Sequence, residues 1–216
     1  MTDDRLVDDR PIGTDLARAL YDLLTGKFEL RNGDRVVIGI GGESGSGKSS
    51  AATSLARELR ESGVRTCVIN SDDYFHLPPR TNHEQRLRSL RHVGPHEVNL
   101  PLVEQHIRDF RAARNNVIAP QVNYPANRFD AQRHDFDTFQ ALIVEGTYVL
   151  GLEGLDVRIF LEATHEDNSE RRRRRNRDIE APIINDILAI EHDLIAPYAA
   201  LANIVVDRNF TIRRHA

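Results

Sequence analysis

The stretch Gly42-Glu43-Ser44-Gly45-Ser46-Gly47-Lys48-Ser49 decides the fold class of this chain of 216 residues. It fits the pattern G-x-x-x-x-G-K-[S/T] at every fixed position. A chance match somewhere in a chain of this size has odds on the order of one per cent. The apolar run at 36–40 predicts a buried strand before the loop, and apolar periodicity predicts a helix from about residue 48 to 61. Strand, glycine-rich loop and helix in this order are the context of a phosphate-binding loop.

This loop suits an anion for physical reasons. Glycines allow successive backbone N–H groups to turn toward one anion, and the start of a helix adds partial positive charge. Lys48 is expected to reach the β- and γ-phosphates of a nucleotide, and the Ser49 hydroxyl to bind Mg²⁺. The predicted nucleotide-binding residues are Gly42, Glu43, Ser44, Gly45, Ser46, Gly47, Lys48, Ser49 and Ser50.

Composition narrows the class of protein. With 40% hydrophobic and 29% charged residues, the chain fits a soluble globular protein. No apolar run approaches the roughly 18 residues that a membrane helix needs, so we predict no membrane association. The acidic N-terminus has no apolar segment typical of secretion, and the single cysteine cannot form an intrachain disulfide, which favours the cytoplasm. A net charge of −4 argues against a nucleic-acid partner.

Strand and helix patterns alternate along the rest of the chain. Further strands are predicted at 64–69, 117–122, 141–144, 157–161 and 204–206. Helices are predicted at 99–114 and 183–201, whereas 71–98 reads as loop with one short helix and 123–138 as irregular. We therefore predict an α/β fold in a single domain over 1–216, preceded by a helical extension at 1–34.

Carboxylates follow two of the predicted strands. Asp72 and Asp73 come after the strand at 64–69, and Glu145 ends the strand at 141–144. Ligands of open α/β sheets bind beyond the carboxyl ends of the strands. Phosphoryl transfer needs Mg²⁺ and often a carboxylate that orients or deprotonates the acceptor hydroxyl. Asp72 is our candidate for that carboxylate, with Asp73 as its rival or the pair as a turn or helix cap; Glu145 is the candidate for Mg²⁺, directly or through water.

Three kinds of protein compete for such a nucleotide site: a small-molecule kinase, a GTPase switch, and an ATPase motor or regulator. The guanine-reading Asn-Lys-x-Asp pattern is absent, because lysine occurs only at Lys27 and Lys48. A motor usually carries further modules, for which this chain has little room. A kinase is therefore favoured, with a nucleotide-binding regulator or ATPase as the alternative.

The run RRRRRNRD at 171–178 holds the densest charge. Five consecutive residues on a helix cover every face, so these arginines cannot all pack inward. The run fits a solvated helix, a basic patch, or a lid whose arginines clamp the transferring phosphate.

Four segments in order resemble the uridine kinase/phosphoribulokinase group of P-loop kinases. They are IGIGGESGSGKSS (38–50), NSDDYF (70–75), IVEG (143–146) and the arginine run. The resemblance extends over about 35–207. It implies a P-loop NTPase fold, with a five-stranded, mostly parallel sheet flanked by helices and an arginine-rich lid at about 165–182. It also implies Mg²⁺- and ATP-dependent phosphorylation of a small-molecule hydroxyl.

The resemblance assigns roles to individual residues. Asp72 and Lys48 become catalytic, Ser49 and Glu145 become Mg²⁺ ligands, and Arg173 and Arg177 of the lid become catalytic through the family's R-R-x-x-R-D spacing. The acceptor segment departs from the family, because Pro120-Gln121-Val122-Asn123-Tyr124 replaces Pro-x-Tyr-Asp-Phe and the position of the base-reading His falls near Asn127. The expected acceptor contacts are Asp72, Tyr74, Arg80, His96, Tyr124 and Arg128. A nucleoside, a sugar, a glycerate-like acid or a vitamin precursor stays open as acceptor, and so does a homo-oligomer.

Overall fold

The protein is represented by a computed structural model that describes residues 12–26, 34–163 and 182–214. The α-helices in these ranges are α1 Ile12–Thr25, α2 Lys48–Glu61, α3 Pro79–Arg88, α4 Leu100–Arg111 and α5 Pro182–Ile195. The strands are β1 Val36–Gly42, β2 Thr66–Asn70, β3 Val117–Asn123, β4 Arg128–His134, β5 Ala141–Gly146, β6 Val157–Leu161, β7 Ile204–Val206 and β8 Ile212–Arg214. None of these helices is long and apolar enough to cross a membrane.

The central sheet has the strand order β2-β5-β1-β6-β7-β8. The strands from β2 to β7 in this order pair in parallel, and β8 pairs antiparallel to β7 at the edge. A mostly parallel sheet flanked by helices is therefore confirmed, but the sheet has six strands, not the predicted five. Strand β8 was missed because Ile212-Arg213-Arg214 has no apolar run, and its pairing with β7 makes it a strand.

Strand β1 explains why the sequence before the loop is apolar without alternation. Each of its residues is buried. Val36 and Ile38 pack on one face of the sheet with Leu55 of α2, and Val37 packs on the other face with Phe110 of α4. A parallel strand covered by helices on both faces needs apolar side chains at successive positions.

A separate hairpin corrects the prediction for 123–138. Strands β3 and β4 form a two-stranded antiparallel sheet that runs in register from the pair Val117–His134 to the pair Asn123–Arg128. The prediction of irregular structure was wrong over β4, because RFDAQRH lacks the apolar alternation of a half-buried strand. Its backbone pairing with β3 is a tertiary contact that local patterning does not reveal.

Other boundaries shift by a few residues. The predicted helix at 183–201 is α5 followed by a 3₁₀-helix, Ala196–Leu201, which contains Pro197. Proline lacks the N–H that an α-helix would need at this point. The predicted helix of the N-terminal extension is α1, whereas 1–11 and 27–33 of that extension lie outside the described residues. The predicted lid at about 165–182, with Arg173 and Arg177, also lies outside them, except for Pro182 where α5 begins.

Candidate active site

The carboxyl ends of three neighbouring strands form the candidate site. Glu145 at the end of β5 is in register with Ile40 of β1 on one side and with Asn70, the last residue of β2, on the other. The phosphate-binding loop continues from β1, and the segment with Asp72 continues from β2. The parallel pairing thus brings together two segments that the sequence separates, as we predicted from their positions after strands.

Helix α2 begins at Lys48, at the end of the phosphate-binding loop. Gly45 and Gly47 have φ of 84° and 98°, in the left-handed region that favours glycine. Gly47 caps α2 without a side-chain hydrogen bond, and a Cβ atom on it would meet nothing within 4 Å. No side chain caps the first turn of α2, and the N–H groups at such a helix start are a ready site for the phosphates of a nucleotide.

The side chains of this loop also fit a nucleotide. Lys48 donates from Nζ to the carbonyl oxygen of Glu43 at 2.8 Å, so its ammonium group lies over the loop. Within the described residues, the buried hydroxyl of Ser46 has no hydrogen-bond partner. Gly42 allows the loop to pack on β6, because a Cβ atom there would lie 2.6 Å from the carbonyl oxygen of Leu161.

Glu145 is a buried carboxyl group beside this loop, only 3% exposed. Burial raises the pKa of Glu145 to about 7, with Lys48 opposing the shift, the charge of Asp72 adding to it, and a hydrogen bond with Ser49 opposing it. Lys48, Ser49 and Asp72 therefore all lie near enough to Glu145 to affect its ionisation. Hydroxyl and carboxylate oxygens are the ligands that Mg²⁺ prefers, so Ser49 and Glu145 fit a magnesium ion there.

Gly146 explains how Asp72 comes close to Glu145. A Cβ atom on Gly146 would lie 1.7 Å from Oγ of Ser71. Ser71 begins the 3₁₀-helix Ser71–Tyr74, which carries Asp72. Because glycine alone leaves room, the 3₁₀-helix can pack directly on the end of β5.

The two neighbouring aspartates have different surroundings. Asn70 caps the 3₁₀-helix by accepting a hydrogen bond from the backbone N–H of Asp72 at 2.8 Å, and the side chain of Asp72 is exposed. Oδ1 of Asp73 accepts a hydrogen bond from the backbone N–H of Val122 in β3, also at 2.8 Å. Asp73 thus anchors the hairpin, and Asp72 is the one of the two whose side chain is exposed.

A cavity of about 160 Å³ lies next to Asp72. It is lined by Asp72, Phe75, Leu77, Pro79, Asn82, His83, Arg86 and Tyr124. Asp72 and Tyr124 are therefore the predicted acceptor contacts that lie on its wall. The cavity is smaller than the roughly 300 Å³ at the lower end of drug-sized ligand sites.

The other predicted acceptor contacts lie elsewhere. Tyr74 is 2% exposed, and its hydroxyl is hydrogen-bonded to Nδ1 of His106 at 2.8 Å, so Tyr74 is a core residue and the prediction of an acceptor contact was wrong. Arg80 is exposed at the start of α3, His96 packs edge-to-face on His92, and Arg128 pairs with Asp130 at 2.8 Å. Arg80, His96 and Arg128 are absent from the cavity wall.

The sequence analysis missed a buried ionic cluster behind the cavity. Arg86 donates from Nε and Nη2 to the two carboxylate oxygens of Glu97, at 2.6 and 2.8 Å, and from Nη1 to Oε1 of Glu191 at 2.9 Å. Glu97 and Glu191 are 1% and 4% exposed. Local patterning had no signal for this cluster, because Arg86 and Glu191 are 105 positions apart and charged residues in polar segments usually face solvent.

Helix α5 contacts both halves of the site. Next to Glu191, His192 lies with Nδ1 2.6 Å from Oε1 of Glu43 in the phosphate-binding loop. Neighbouring residues of one helix therefore connect the nucleotide loop with the wall of the cavity. Helix α5 begins directly after 164–181, which contains the arginine run.

Comparisons with known sequences agree on one family. The model of the "Phosphoribulokinase / Uridine kinase family" matches residues 37–207. A bifunctional alpha-galactosidase/sucrose kinase from Mediterraneibacter gnavus is 27% identical over 193 residues, which cover 83% of this chain and 21% of that protein. The chain thus spans about a fifth of that relative. A uridine kinase from Macrococcus caseolyticus is 25% identical over 182 residues, 79% of this chain and 86% of that enzyme.

Solved structures share the fold. A possible uridine kinase from Bacillus stearothermophilus superposes with a TM-score of 0.64 at 16% identity, covering 88% of this chain and 97% of that one. The phosphoribulokinase from Rhodobacter spheroides gives a TM-score of 0.57 at 17% identity, covering 81% of this chain and 70% of that one.

Proposed function

The chain belongs to the phosphoribulokinase/uridine kinase family, and on that premise we propose that it transfers the γ-phosphate of ATP to a hydroxyl group of a small metabolite. Kinases of this P-loop type use ATP and Mg²⁺. The observation that carries the proposal is the position of Asp72, whose exposed carboxylate lies on a cavity wall within electrostatic reach of Glu145. Its neighbour Asp73 is bonded to the hairpin instead.

In this proposal, the residues of the site have separate roles in phosphoryl transfer. The start of α2 and Lys48 bind the phosphates, and Ser49 and Glu145 supply oxygen ligands. Bound Mg²⁺ would neutralise charge on the phosphates. Asp72 orients the acceptor hydroxyl and takes its proton as the hydroxyl oxygen forms a bond to the γ-phosphorus and the bond to ADP breaks.

We extend the proposal to the residues outside the described ranges. Arg173 and Arg177 clamp the transferring phosphate, on the basis of the R-R-x-x-R-D spacing alone. The lid belongs to the same single domain, 1–216, as the phosphate-binding loop.

Sugars are the acceptor class that we place first. The sucrose kinase relative matches over 83% of this chain. Asn127 stands near the position of the base-reading His in uridine kinases, but its Oδ1 accepts a hydrogen bond from the backbone N–H of Arg80 at 2.8 Å. Its Nδ2 lies 3.2 Å from Oγ1 of Thr81. A side chain bonded in this way to α3 does not take the place of that His, and the choice of a sugar itself rests on the sucrose kinase relative.

An acceptor screen tests this proposal. ADP release is measured with Mg²⁺ and ATP against sucrose, fructose, uridine, cytidine, nicotinamide riboside, pantothenate, ribulose 5-phosphate and glycerate. We expect release that depends on a sugar and that is lost in Asp72→Asn. Steady hydrolysis without any acceptor would instead identify an ATPase, and nucleotide binding with no ADP release from any of these compounds would favour a regulator.

A further inference from the structure

Arg86 is a cation on the wall of the acceptor cavity, and its guanidinium is hydrogen-bonded to two buried carboxyl groups. Its side chain is 15% exposed, and the side chains of Glu97 and Glu191 are 0% and 6% exposed. Glu97 engages it with two parallel hydrogen bonds, the geometry that fixes the plane of a guanidinium group. The guanidinium also lies over the ring of Phe75, 5.8 Å from its centroid.

Further hydrogen bonds fix Glu97 itself. Oε1 accepts from Nδ2 of Asn82 at 2.8 Å, and Oε2 accepts from the backbone N–H of Gly94 at 2.8 Å. Burial alone would raise the pKa of Glu97, but the hydrogen bonds from Arg86 and Gly94 lower it. Glu97 is therefore a carboxylate and cancels the charge of Arg86.

Glu191 is a second buried carboxyl group on the same guanidinium, and burial raises its pKa, with Arg86 and Lys48 opposing the shift. Its Oε1 accepts a hydrogen bond from Arg86, and within the described residues its buried Oε2 has no partner. The cluster of Arg86, Glu97 and Glu191 is thus neutral when Glu191 is protonated and negative when Glu191 is ionised. Asp72 contributes another carboxylate to the same cavity.

Arg86 can still donate hydrogen bonds to a ligand. A guanidinium carries five N–H donors. Among the described residues, three of these donors are bonded to the carboxylates, at Nε, Nη1 and Nη2. One N–H on each Nη atom remains, on a residue that lines the cavity with Asp72. The wall therefore combines hydrogen-bond donors from Arg86 with an acceptor from Asp72, and the cluster has no net positive charge.

We propose that Arg86 determines acceptor specificity in this cavity, because Glu97 and Glu191 hold it as a donor to an uncharged hydroxyl compound and cancel the charge that an anionic acceptor would require. This inference rests on the proposed kinase function. Transition-state contacts with neutral hydroxyl groups need donors and acceptors of fixed orientation. A phosphate or carboxylate on the acceptor would instead lie near Asp72 on the cavity wall, with the charge of Arg86 already compensated by the carboxylate behind it.

The test compares kcat/KM for an anionic acceptor with kcat/KM for a neutral one. For wild type and Glu191→Gln, kcat/KM is measured with fructose and with fructose 6-phosphate, or with the best neutral acceptor of the screen and its phosphomonoester. The amide keeps the size and the oxygen acceptor of Glu191 but removes its charge. We expect the anionic-to-neutral ratio to rise about tenfold in Glu191→Gln at a pH at which wild-type Glu191 is ionised, since the removal of one charge near the cavity changes the binding of an anion by this order.

A matched control is Asp193→Asn, the same chemical change at an exposed position of the same helix. We expect its ratio to stay at the wild-type value. Thermal melting and ATP affinity of each variant show whether it is folded. An equal ratio in folded Glu191→Gln and wild type would overturn the inference.

A second variant tests Arg86 directly. Arg86→Lys keeps the positive charge but cannot make the paired hydrogen bonds. We expect KM for the neutral acceptor to rise about tenfold or more, with KM for ATP unchanged, as expected on loss of a charged hydrogen bond of about 1.5–3 kcal/mol. An unchanged acceptor KM would contradict the role of Arg86. If wild type transfers phosphate to no acceptor, the proposed function itself fails, which the screen reveals before any variant is made.

Discussion

The two ends of the site are built in different ways. The nucleotide end is one continuous segment, in which backbone N–H groups at the start of α2 and Lys48 lie within a few positions of one another. The acceptor end combines side chains from distant segments: Asp72 after β2, Arg86 on α3, Tyr124 beside the hairpin and Glu191 on α5. A phosphate needs donors that any backbone can supply, whereas an acceptor needs side chains that only packing can bring together. Acceptor specificity can therefore change without change in the nucleotide loop.

We expect the greatest change in activity from a substitution at the acceptor end that leaves nucleotide binding intact. Asp72→Asn should lower kcat by roughly 10²–10⁴-fold and leave ATP affinity nearly unchanged, because general-base catalysis contributes this range. Single-turnover kinetics and nucleotide titration measure the two quantities. Wild-type turnover in this variant would remove Asp72 from the mechanism.

Glu145 lies between the two ends, and its raised pKa makes stability depend on pH. The carboxyl has a folded pKa of about 7 against 4.5 for its ordinary value, so its contribution to stability is present below pH 4.5 and is lost as the pH rises to 7. Without ATP or Mg²⁺, Glu145→Gln should therefore gain stability over wild type with rising pH, by at most about 3 kcal/mol above pH 7. Its phosphoryl transfer should be severely reduced.

Urea unfolding from pH 5 to pH 8 checks this prediction. The control is Glu84→Gln, the same substitution at an exposed position of α3, measured at the same pH values. Parallel stability curves for wild type and Glu145→Gln across this range would show that Glu145 does not titrate as a buried group.

The 3₁₀-helix that carries Asp72 can pack on the end of β5 only because residue 146 is glycine. Gly146→Ala should lower the free energy of unfolding by about 1–3 kcal/mol, as other overpacked sites do, since the new methyl group meets Ser71. It should also displace Asp72 and lower kcat. The double variant Ser71→Gly with Gly146→Ala should recover part of the stability, and Gly151→Ala serves as control because its Cβ would lie 3.3 Å from the nearest atom. Equal melting temperatures for Gly146→Ala and wild type would argue against tight packing here.

Substitutions of Asp73 should have the smallest effects, and they test whether the two aspartates have different roles. Asp73→Asn keeps an oxygen for the N–H of Val122, so its kcat should stay within a few-fold of wild type, unlike Asp72→Asn. Asp73→Ala loses that hydrogen bond and should cost about 0.5–1.5 kcal/mol of stability, with a higher acceptor KM. Chemical denaturation and acceptor kinetics measure both. A loss in Asp73→Asn as large as that in Asp72→Asn would reverse their assignment.

The predictions of structure from the sequence were accurate where a short segment carries its own pattern. The loop at 42–50 and the strand before it could be identified because glycine spacing and continuous apolar residues are local properties. Asp72 and Glu145 could be placed together because parallel strands bring their carboxyl ends to one edge. Tyr74 was misjudged because an aromatic residue after a strand has the same local pattern whether it lines a cavity or, as here, bonds to His106 in the core.

The amino-acid sequence by itself determined the class of fold and the strand–loop–helix around the phosphate-loop motif, since both depend on patterns within a few turns or strands. The tertiary structure alone decided which aspartate faces the cavity, where the hairpin is attached and which ions surround Arg86. The bonds from Arg86 to Glu97 and Glu191 join positions 11 and 105 residues apart. Burial makes such ion pairs depend on all their partners at once. This dependence on distant partners is why the acceptor cavity could not be deduced from local patterns, whereas the phosphate-binding loop could.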